Sequence, residues 1–242
     1  MWPKSTKYYS PNFSLPKRSK KKIKFIILHY TGMKKESEAI RRLCDIRSKV
    51  SAHYFIKKNG EIINLVPDLY EAWHAGISNW KKIQFLNKNS IGIEIQNSGH
   101  YHNYENFTEK QFKALKKLLK YLINLYKINL KNILGHSDIS PDRKKDPGEK
   151  FPWKKLSNCG LANWHNLQEF KLKKLRLVKL SQIEEKKLMK NINKIGFRET
   201  SIIKSKQKKK FLLKAFQRKF RQSLINGKSD KECLYISKDL LK

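Results

Sequence analysis

The sequence predicts an α/β fold, with a mixed central β-sheet flanked by helices and a small C-terminal unit of three helices behind it. Three observations lead there. Two short apolar, β-rich runs, Lys24 to Tyr30 (KFIILHY) and Ser90 to Ile95 (SIGIEI), have the length of buried strands. A strongly amphipathic stretch, Thr108 to Tyr126, separates the second run from a further short strand ending at Gly135. From about Leu156 onward strand signals cease and helical periodicity takes over.

Taken in order, the segment up to Lys22 reads as an extended arm closing on the basic run KRSKKK. The strand Lys24 to Tyr30 comes next. Glu36 to Ser48 has helical spacing, with Ala39, Ile40, Leu43 and Ile46 on one side. His53 to Ile56 and Glu61 to Val66 flank Lys57-Lys58-Asn59-Gly60, where an Asn-Gly pair that tolerates positive φ marks a hairpin. In Thr108 to Tyr126, Thr108 and Gln111 are spaced for a capping box. Phe112, Leu115, Leu119, Leu122 and Tyr126 then form an apolar stripe. Lys131 to Gly135 is a short strand that delivers the chain to His136. Pro141, Pro147, Gly148 and Pro152 make the stretch after it an irregular loop.

Lys171 to Lys179 reads as a basic linker or surface helix. Gln182 to Ile195, Lys209 to Gln222 and Lys231 to Leu241 read as short amphipathic helices. A core that small is marginal alone, so this unit is expected to pack on the first. The expected division is an arm over 1–22, a main domain over 23–160, a linker over 161–180 and the helical unit over 181–242.

Among 242 residues, 55 Lys and Arg face 20 Asp and Glu, a formal charge of +35. Such a field attracts polyanions, whether nucleic acid, an anionic membrane surface or an acidic polymer. The cations are spread along the whole chain, so solvated lysine accounts for much of the excess. Cys44, Cys159 and Cys233 are too few and scattered for a disulfide framework and form no CxxC pair, as in a reduced cytoplasmic protein. No run of 18 apolar residues exists, which excludes a transmembrane helix. Met1 to Lys20 lacks an apolar core, so no secretory signal is visible. The expected location is the cytoplasm, with release by a leaderless route as the alternative.

The chemistry sits at strand ends. His29 closes the first apolar strand, His136 follows the strand at 131–135, and Asp146 lies ten residues later in RKKDPGEKFPW. Two imidazoles and a carboxylate make a three-ligand zinc set with a fourth position open for water, whose pKa the ion lowers to roughly 7. Taken singly, a histidine after a strand is more often structural. Glu94 adds to the signal, because a charge inside SIGIEIQN is costly to bury without purpose. Strand alternation puts Gly92, Glu94 and Gln96 on one face. Glu94 can serve as a general base, or it can belong to an edge strand whose polar face meets solvent. Lys144 can place an ammonium near a developing oxyanion, or be one more solvated lysine.

The strings FIILHYTGM, SAHYFIKKNGEIINLVPD, AWHAGISNW, NSIGIEIQN and GHSDISPDRKKDPGEKFPW resemble, in order, the motifs of the zinc-dependent N-acetylmuramoyl-L-alanine amidases, whose wider family includes peptidoglycan recognition proteins. The resemblance runs from about Tyr9 to Trp153. It implies the amidase/peptidoglycan-recognition fold for 23–160, one Zn2+ per chain on His29, His136 and Asp146, Glu94 as catalytic acid/base and Lys144 as transition-state stabiliser. It further implies hydrolysis of the amide between the lactyl group of N-acetylmuramic acid and L-alanine, in cell-wall turnover or recycling. Flanking residues suit a substrate groove: Tyr30, Thr31, Trp73, His74, Ala75, Trp80, Asn97 and Arg143. His53 is expected to support the sheet or the residues directly behind the site, while His100, His102 and His165 are expected at the surface.

Ala215-Phe216-Gln217 and the turn Asn226-Gly227-Lys228 resemble the three-helix peptidoglycan-binding module often found behind such amidases. Asn226 stands where the module usually has Asp, so the resemblance extends to the fold of the unit rather than to glycan binding. The expected partner is peptidoglycan or its soluble fragments, bound by a monomer, with no nucleic acid. Two rivals remain: a receptor that binds peptidoglycan without cutting it, which usually lacks a ligand, and a polyanion binder, which would leave the zinc set unexplained.

Overall fold

The computed structural model describes residues 8–200 and 205–242. In chain order its strands and helices are β1 (Phe13–Ser14), β2 (Phe25–Tyr30), α1 (Glu36–Cys44), β3 (Tyr54–Ile56), β4 (Ile62–Asn64), β5 (Glu71–Ala72), β6 (Asn79–Trp80), β7 (Ile83–Gln84) and β8 (Ser90–Ile95). They continue with α2 (Glu109–Tyr126), β9 (Ile133–Gly135), α3 (His136–Ile139), α4 (Trp153–Asn158), α5 (Glu169–Leu175), α6 (Gln182–Ile195), α7 (Ser205–Phe220) and α8 (Lys231–Asp239). The main sheet has the order β4-β3-β8-β2-β9; only its β3–β4 pairing is antiparallel, so the sheet is mixed.

Alternation along β2 and β8 divides the core. Ile26, Leu28, Ile91, Ile93 and Ile95 face the stripe of α2 (Phe112, Leu115, Leu119, Leu122) and Trp153 and Leu156 of α4. The capping box opening α2 forms as expected, with Thr108 and Gln111 exchanging hydrogen bonds. On the opposite face, Phe25, Ile27 and Leu134 pack against Leu212, Leu213, Phe216 and Phe220 of α7. The C-terminal helices therefore cover one side of the sheet, and α1 with Ala39, Ile40 and Leu43 covers Phe55 and Ile63 nearby.

The Asn-Gly hairpin joins β3 to β4, but Gly60 takes the positive φ (86°) and Asn59 does not. A mutual bond pattern, Gly60 N–H to Lys57 O and Lys57 N–H to Glu61 O, makes the turn a bulged one. Ile46, placed by periodicity on the apolar side of the first helix, is 66% exposed. Helix α1 ends at Cys44, and the 3-10 turn after it rotates Ile46 outward. The N-terminal arm is packed over its described part: β1 pairs with β5, and the buried Arg18 guanidinium donates to the carbonyls of Asp68 and Asn87. Residues 1–7 of that arm lie outside the described residues. Among the described residues no helix is long and apolar enough to cross a membrane.

Candidate metal centre and active-site cleft

Strands β2, β8 and β9 run parallel, and their C-terminal ends open on one edge, where an α/β sheet can hold a ligand. Register fixes what meets there. His29 of β2 lies opposite Glu94 of β8, so the two side chains leave the same face as neighbours. Leu28 lies opposite Gly135, which brings His136, the next residue, beside His29. The loop after α3 returns Asp146 to the same point, tied to the His136 turn by the Ser137 N–H donating to the Asp146 carbonyl at 2.8 Å.

The result is a triangle. His29 Nδ1, His136 Nδ1 and Asp146 Oδ2 are each 3.0 Å from the other two, and all three residues are buried. The other ring nitrogens are committed: His136 Nε2 donates to the Ala75 carbonyl at 3.1 Å, and His29 Nε2 lies 3.1 Å from His74 Nδ1. With those protons outward, three lone pairs converge inward, which only a cation or a shared proton can stabilise. Bonds of ~2 Å from nitrogen and carboxylate donors to one ion suit a triangle of this size. Burial and the neighbouring His136 push the His29 imidazole down to about 4, against the pull of Asp146, so the ring is neutral and able to ligate. Burial would raise the Asp146 carboxyl, but His136 and His29 hold it well below the usual carboxylate range.

A second layer orients these candidate ligands. His74 Nε2 donates to Ser90 Oγ at 3.1 Å, and that hydroxyl donates to the Leu86 carbonyl, so a relay of fixed donors runs outward from His29. His74 fits because its neighbour on β8 is Gly92: a Cβ there would stand 2.3 Å from His74 Cγ. His53 accepts the Gly92 N–H at 3.0 Å and buttresses the same strand, in line with its expected sheet role.

The triangle forms part of a cleft of about 470 Å³. Glu94 and Lys144 line it, together with Tyr30, Thr31, Trp73, His74 and Arg143. Glu94 Oε2 is a buried atom with no hydrogen-bond partner among the described residues. Burial and the Asp146 carboxylate push the Glu94 carboxyl well above its usual range, against the pull of Lys144. An orphaned carboxylate oxygen with a raised proton affinity, beside a metal triangle, is equipped to take up and return a proton. Arg42 and Lys145 add cations to the rim.

Three expected groove residues lie elsewhere. Trp80 is 2% exposed and packs in the core against Phe197, whose ring centroid is 5.0 Å away, because β6 turns under the C-terminal helices. Asn97 is fully buried and is used by the backbone, donating to the Glu105 carbonyl and accepting the Gly99 N–H. Ala75 is buried too, and contributes its carbonyl to His136. His74 borders the cleft, but both its ring nitrogens are engaged in orienting His29.

Two histidines expected at the surface are not there. His100 accepts from or donates to Tyr30 Oη at 2.8 Å and reaches the Glu149 carboxylate at 3.1 Å, so it fixes a cleft-wall tyrosine. His165 is 6% exposed beneath α7 and α8, whereas His102 is exposed as expected. The Ala215-Phe216-Gln217 motif is buried, and Gln217 clamps the following turn by donating to the Lys228 carbonyl and accepting the Gly227 N–H at 2.8 Å each.

Comparison with known proteins gives a consistent picture. A family model described as N-acetylmuramoyl-L-alanine amidase matches residues 19–149. The chain is 33% identical over 232 residues to the N-acetylmuramoyl-L-alanine amidase AmiD of Escherichia coli, covering 91% of this chain and 83% of that protein. It is 41% identical over 105 residues to the 1,6-anhydro-N-acetylmuramyl-L-alanine amidase AmpD of Escherichia coli, over 43% of this chain and 55% of AmpD. The solved complex of AmiD with the substrate anhydro-N-acetylmuramic acid-L-Ala-D-gamma-Glu-L-Lys is similar with a TM-score of 0.81 at 31% identity, over 99% of this chain and 92% of that one. AmpDh3 from Pseudomonas aeruginosa, in complex with anhydromuramic pentapeptide, is similar with a TM-score of 0.78 at 28% identity, over 99% and 97% of the two chains.

Proposed function

The chain belongs to the N-acetylmuramoyl-L-alanine amidase family, and from that premise we propose that it hydrolyses the amide between the lactyl group of N-acetylmuramic acid and L-alanine, using one zinc ion held by His29, His136 and Asp146. Soluble anhydro-muropeptides released in cell-wall turnover are the proposed substrates. The observation that carries this reading is the convergence of three metal-ligating atoms, 3.0 Å apart, in one cleft with the unpartnered Glu94 carboxylate.

Two imidazoles and one carboxylate are a donor set suited to zinc, which when bound supplies a Lewis acid for the scissile carbonyl and acidifies water. The protein's own groups do the rest. Glu94 takes a proton from the attacking water on Oε2 and hands it to the leaving alanine nitrogen, a two-way role that its raised proton affinity suits. Lys144 places a positive charge on the same cleft, where charge develops on the carbonyl oxygen. Tyr30, held by His100, and Trp73, whose indole donates to Ser14 Oγ at 2.8 Å, are fixed walls for the sugar and stem. Arg143, Arg42 and Lys145 supply cations for the carboxylates of a stem peptide.

Mass spectrometry of anhydro-muropeptide and of intact sacculi, each incubated with the protein, tests this. Free stem peptide is expected with zinc present, and is expected to vanish with a chelator or in Glu94→Ala. Intact muropeptide after long incubation with zinc-loaded protein would sink the enzyme reading. The ratio of soluble to polymeric substrate cleaved tells where in the wall cycle the enzyme acts.

A further inference from the structure

Helix α7 packs on the sheet face of Phe25, Ile27 and Leu134, and polar side chains at and just beyond its C-terminal end meet the segments that carry His136 and Asp146. Lys219 is 3% exposed, and its ammonium donates to Asp138 Oδ2 and to the Ile133 carbonyl, each at 2.9 Å. Asp138 is 1% exposed and accepts the Gly135 N–H at 2.8 Å through that same oxygen. Ile133 and Gly135 bound strand β9, and Asp138 lies in the turn that opens with His136. The ammonium also sits 4.4 Å from the Trp153 ring centroid.

The neighbouring side chains grip the other ligand segment. Gln222 donates to the carbonyls of Glu149 and Phe151 at 2.6 Å each, and Arg218 faces the Glu149 carboxylate at 3.6 Å. Both carbonyls belong to the loop that leaves Asp146. The C-terminal end of α7 and the turn after it therefore hold the two backbone segments that carry His136 and Asp146, through residues other than those two.

A buried ammonium is tolerated only where fixed acceptors meet it, so this ion pair has one narrow arrangement rather than many. Partners that orient metal ligands typically change metal affinity by ~10–100-fold when removed. We propose that the end of α7 and the turn after it form a positioning element of the metal centre: the Lys219–Asp138 pair and Gln222 set the affinity for the ion by fixing where His136 and Asp146 point. This rests on the reading of His29, His136 and Asp146 as metal ligands. It gives the C-terminal helices a task separate from any contact with glycan.

The test is zinc affinity of the full-length chain, read by competition with a chromophoric chelator, alongside the thermal shift on adding zinc. Lys219→Met, which keeps the aliphatic stem, is expected to weaken zinc by ~10-fold or more and to shrink the thermal shift. Lys219→Arg is expected to restore part of the affinity. Lys219→Met combined with Asp138→Asn is expected to bind no more weakly than Lys219→Met alone. Gln222→Ala, on the other segment, is expected to weaken zinc by at least about threefold, and it carries the test if Lys219→Met does not fold. Variants that fold and bind zinc within about twofold of the parent overturn the proposal. A parent chain that binds no zinc fails the metal-centre reading itself, and this one with it.

Discussion

Gly92→Ala is a single-methyl test of how the site is held. Gly92 lies within β8 outside the positive-φ region, so alanine costs the backbone nothing there. The steric cost is specific: the new Cβ would stand 2.3, 2.5 and 2.6 Å from His74 Cγ, Cδ2 and Nδ1. Ordinary carbon contacts are ~3.5–4.0 Å, so the ring must retreat by roughly 1.2–1.7 Å. That distance breaks the 3.1 Å contacts of His74 with His29 and Ser90, since neither survives much past 3.5 Å. Overpacking of this kind costs ~1–3 kcal/mol of stability. Freed from its partner, His29 should lose ~10–100-fold in metal affinity. The assay is chelator competition for zinc beside denaturant unfolding of the metal-free chain. Gly160→Ala is the control, because its Cβ meets nothing within 4 Å although its φ is +68°; it should lose stability and keep its metal. Zinc affinity in Gly92→Ala within about twofold of the parent, with the fold retained, would refute the relay.

Acid should destabilise the metal-free protein through its buried histidines. Burial holds His53 and His74 neutral, well below their ordinary 6.5, while the unfolded chain protonates them near that value. The unfolded state then binds more protons, so their contribution is intact above 6.5 and shrinks as pH falls below it, by up to ~1.4 kcal/mol per pH unit for each. Urea midpoints at pH 7 and pH 5 measure this, and a flat profile would contradict neutral burial. Lys144→Met should lower kcat by ~10²–10³ with zinc affinity unchanged; a change confined to KM would move Lys144 out of the transition state. Asn97→Ala should cost ~1–3 kcal/mol of stability with KM unchanged, whereas Arg143→Ala should raise KM by roughly tenfold; the reverse pattern would put Asn97 back in the groove.

What could be read from the sequence is what local periodicity encodes. Alternation in SIGIEI sets Glu94 on the face of Gly92, and parallel pairing then makes it the neighbour of His29. The capping residues of α2 and the span Gln182–Ile195 of α6 are likewise local. What escaped depends on partners distant in the chain. Trp80 next to a run of groove-like residues gives no hint that its ring meets Phe197. His74 and Ala75 carry the right motif but brace His29 and His136 from behind, which only the packing on Gly92 and the position of His136 decide. Lys219 is lost among the other cations, although one signal marks it: it falls between Phe216 and Phe220 on the apolar stripe of α7, where a solvated lysine does not belong. His100 and His165 had no motif, and their burial comes from the loop before α2 and from the helices that close over the latter.

The Lys219–Asp138 ion pair also imposes an order of assembly. Its partners are 81 residues apart in the chain. A ribosome adding ~5–20 residues per second takes roughly 4–16 s over that stretch. His29, Glu94 and His136 precede this interval and Asp146 falls eight residues into it, yet Asp138 waits for its counter-charge until Lys219 is made. On the proposal above, full affinity for the ion arrives with α7 rather than with His29, His136 and Asp146. A chain that ends before α7 then carries His29, Glu94, His136 and Asp146 without the ion pair and the Gln222 bonds that brace two of their segments.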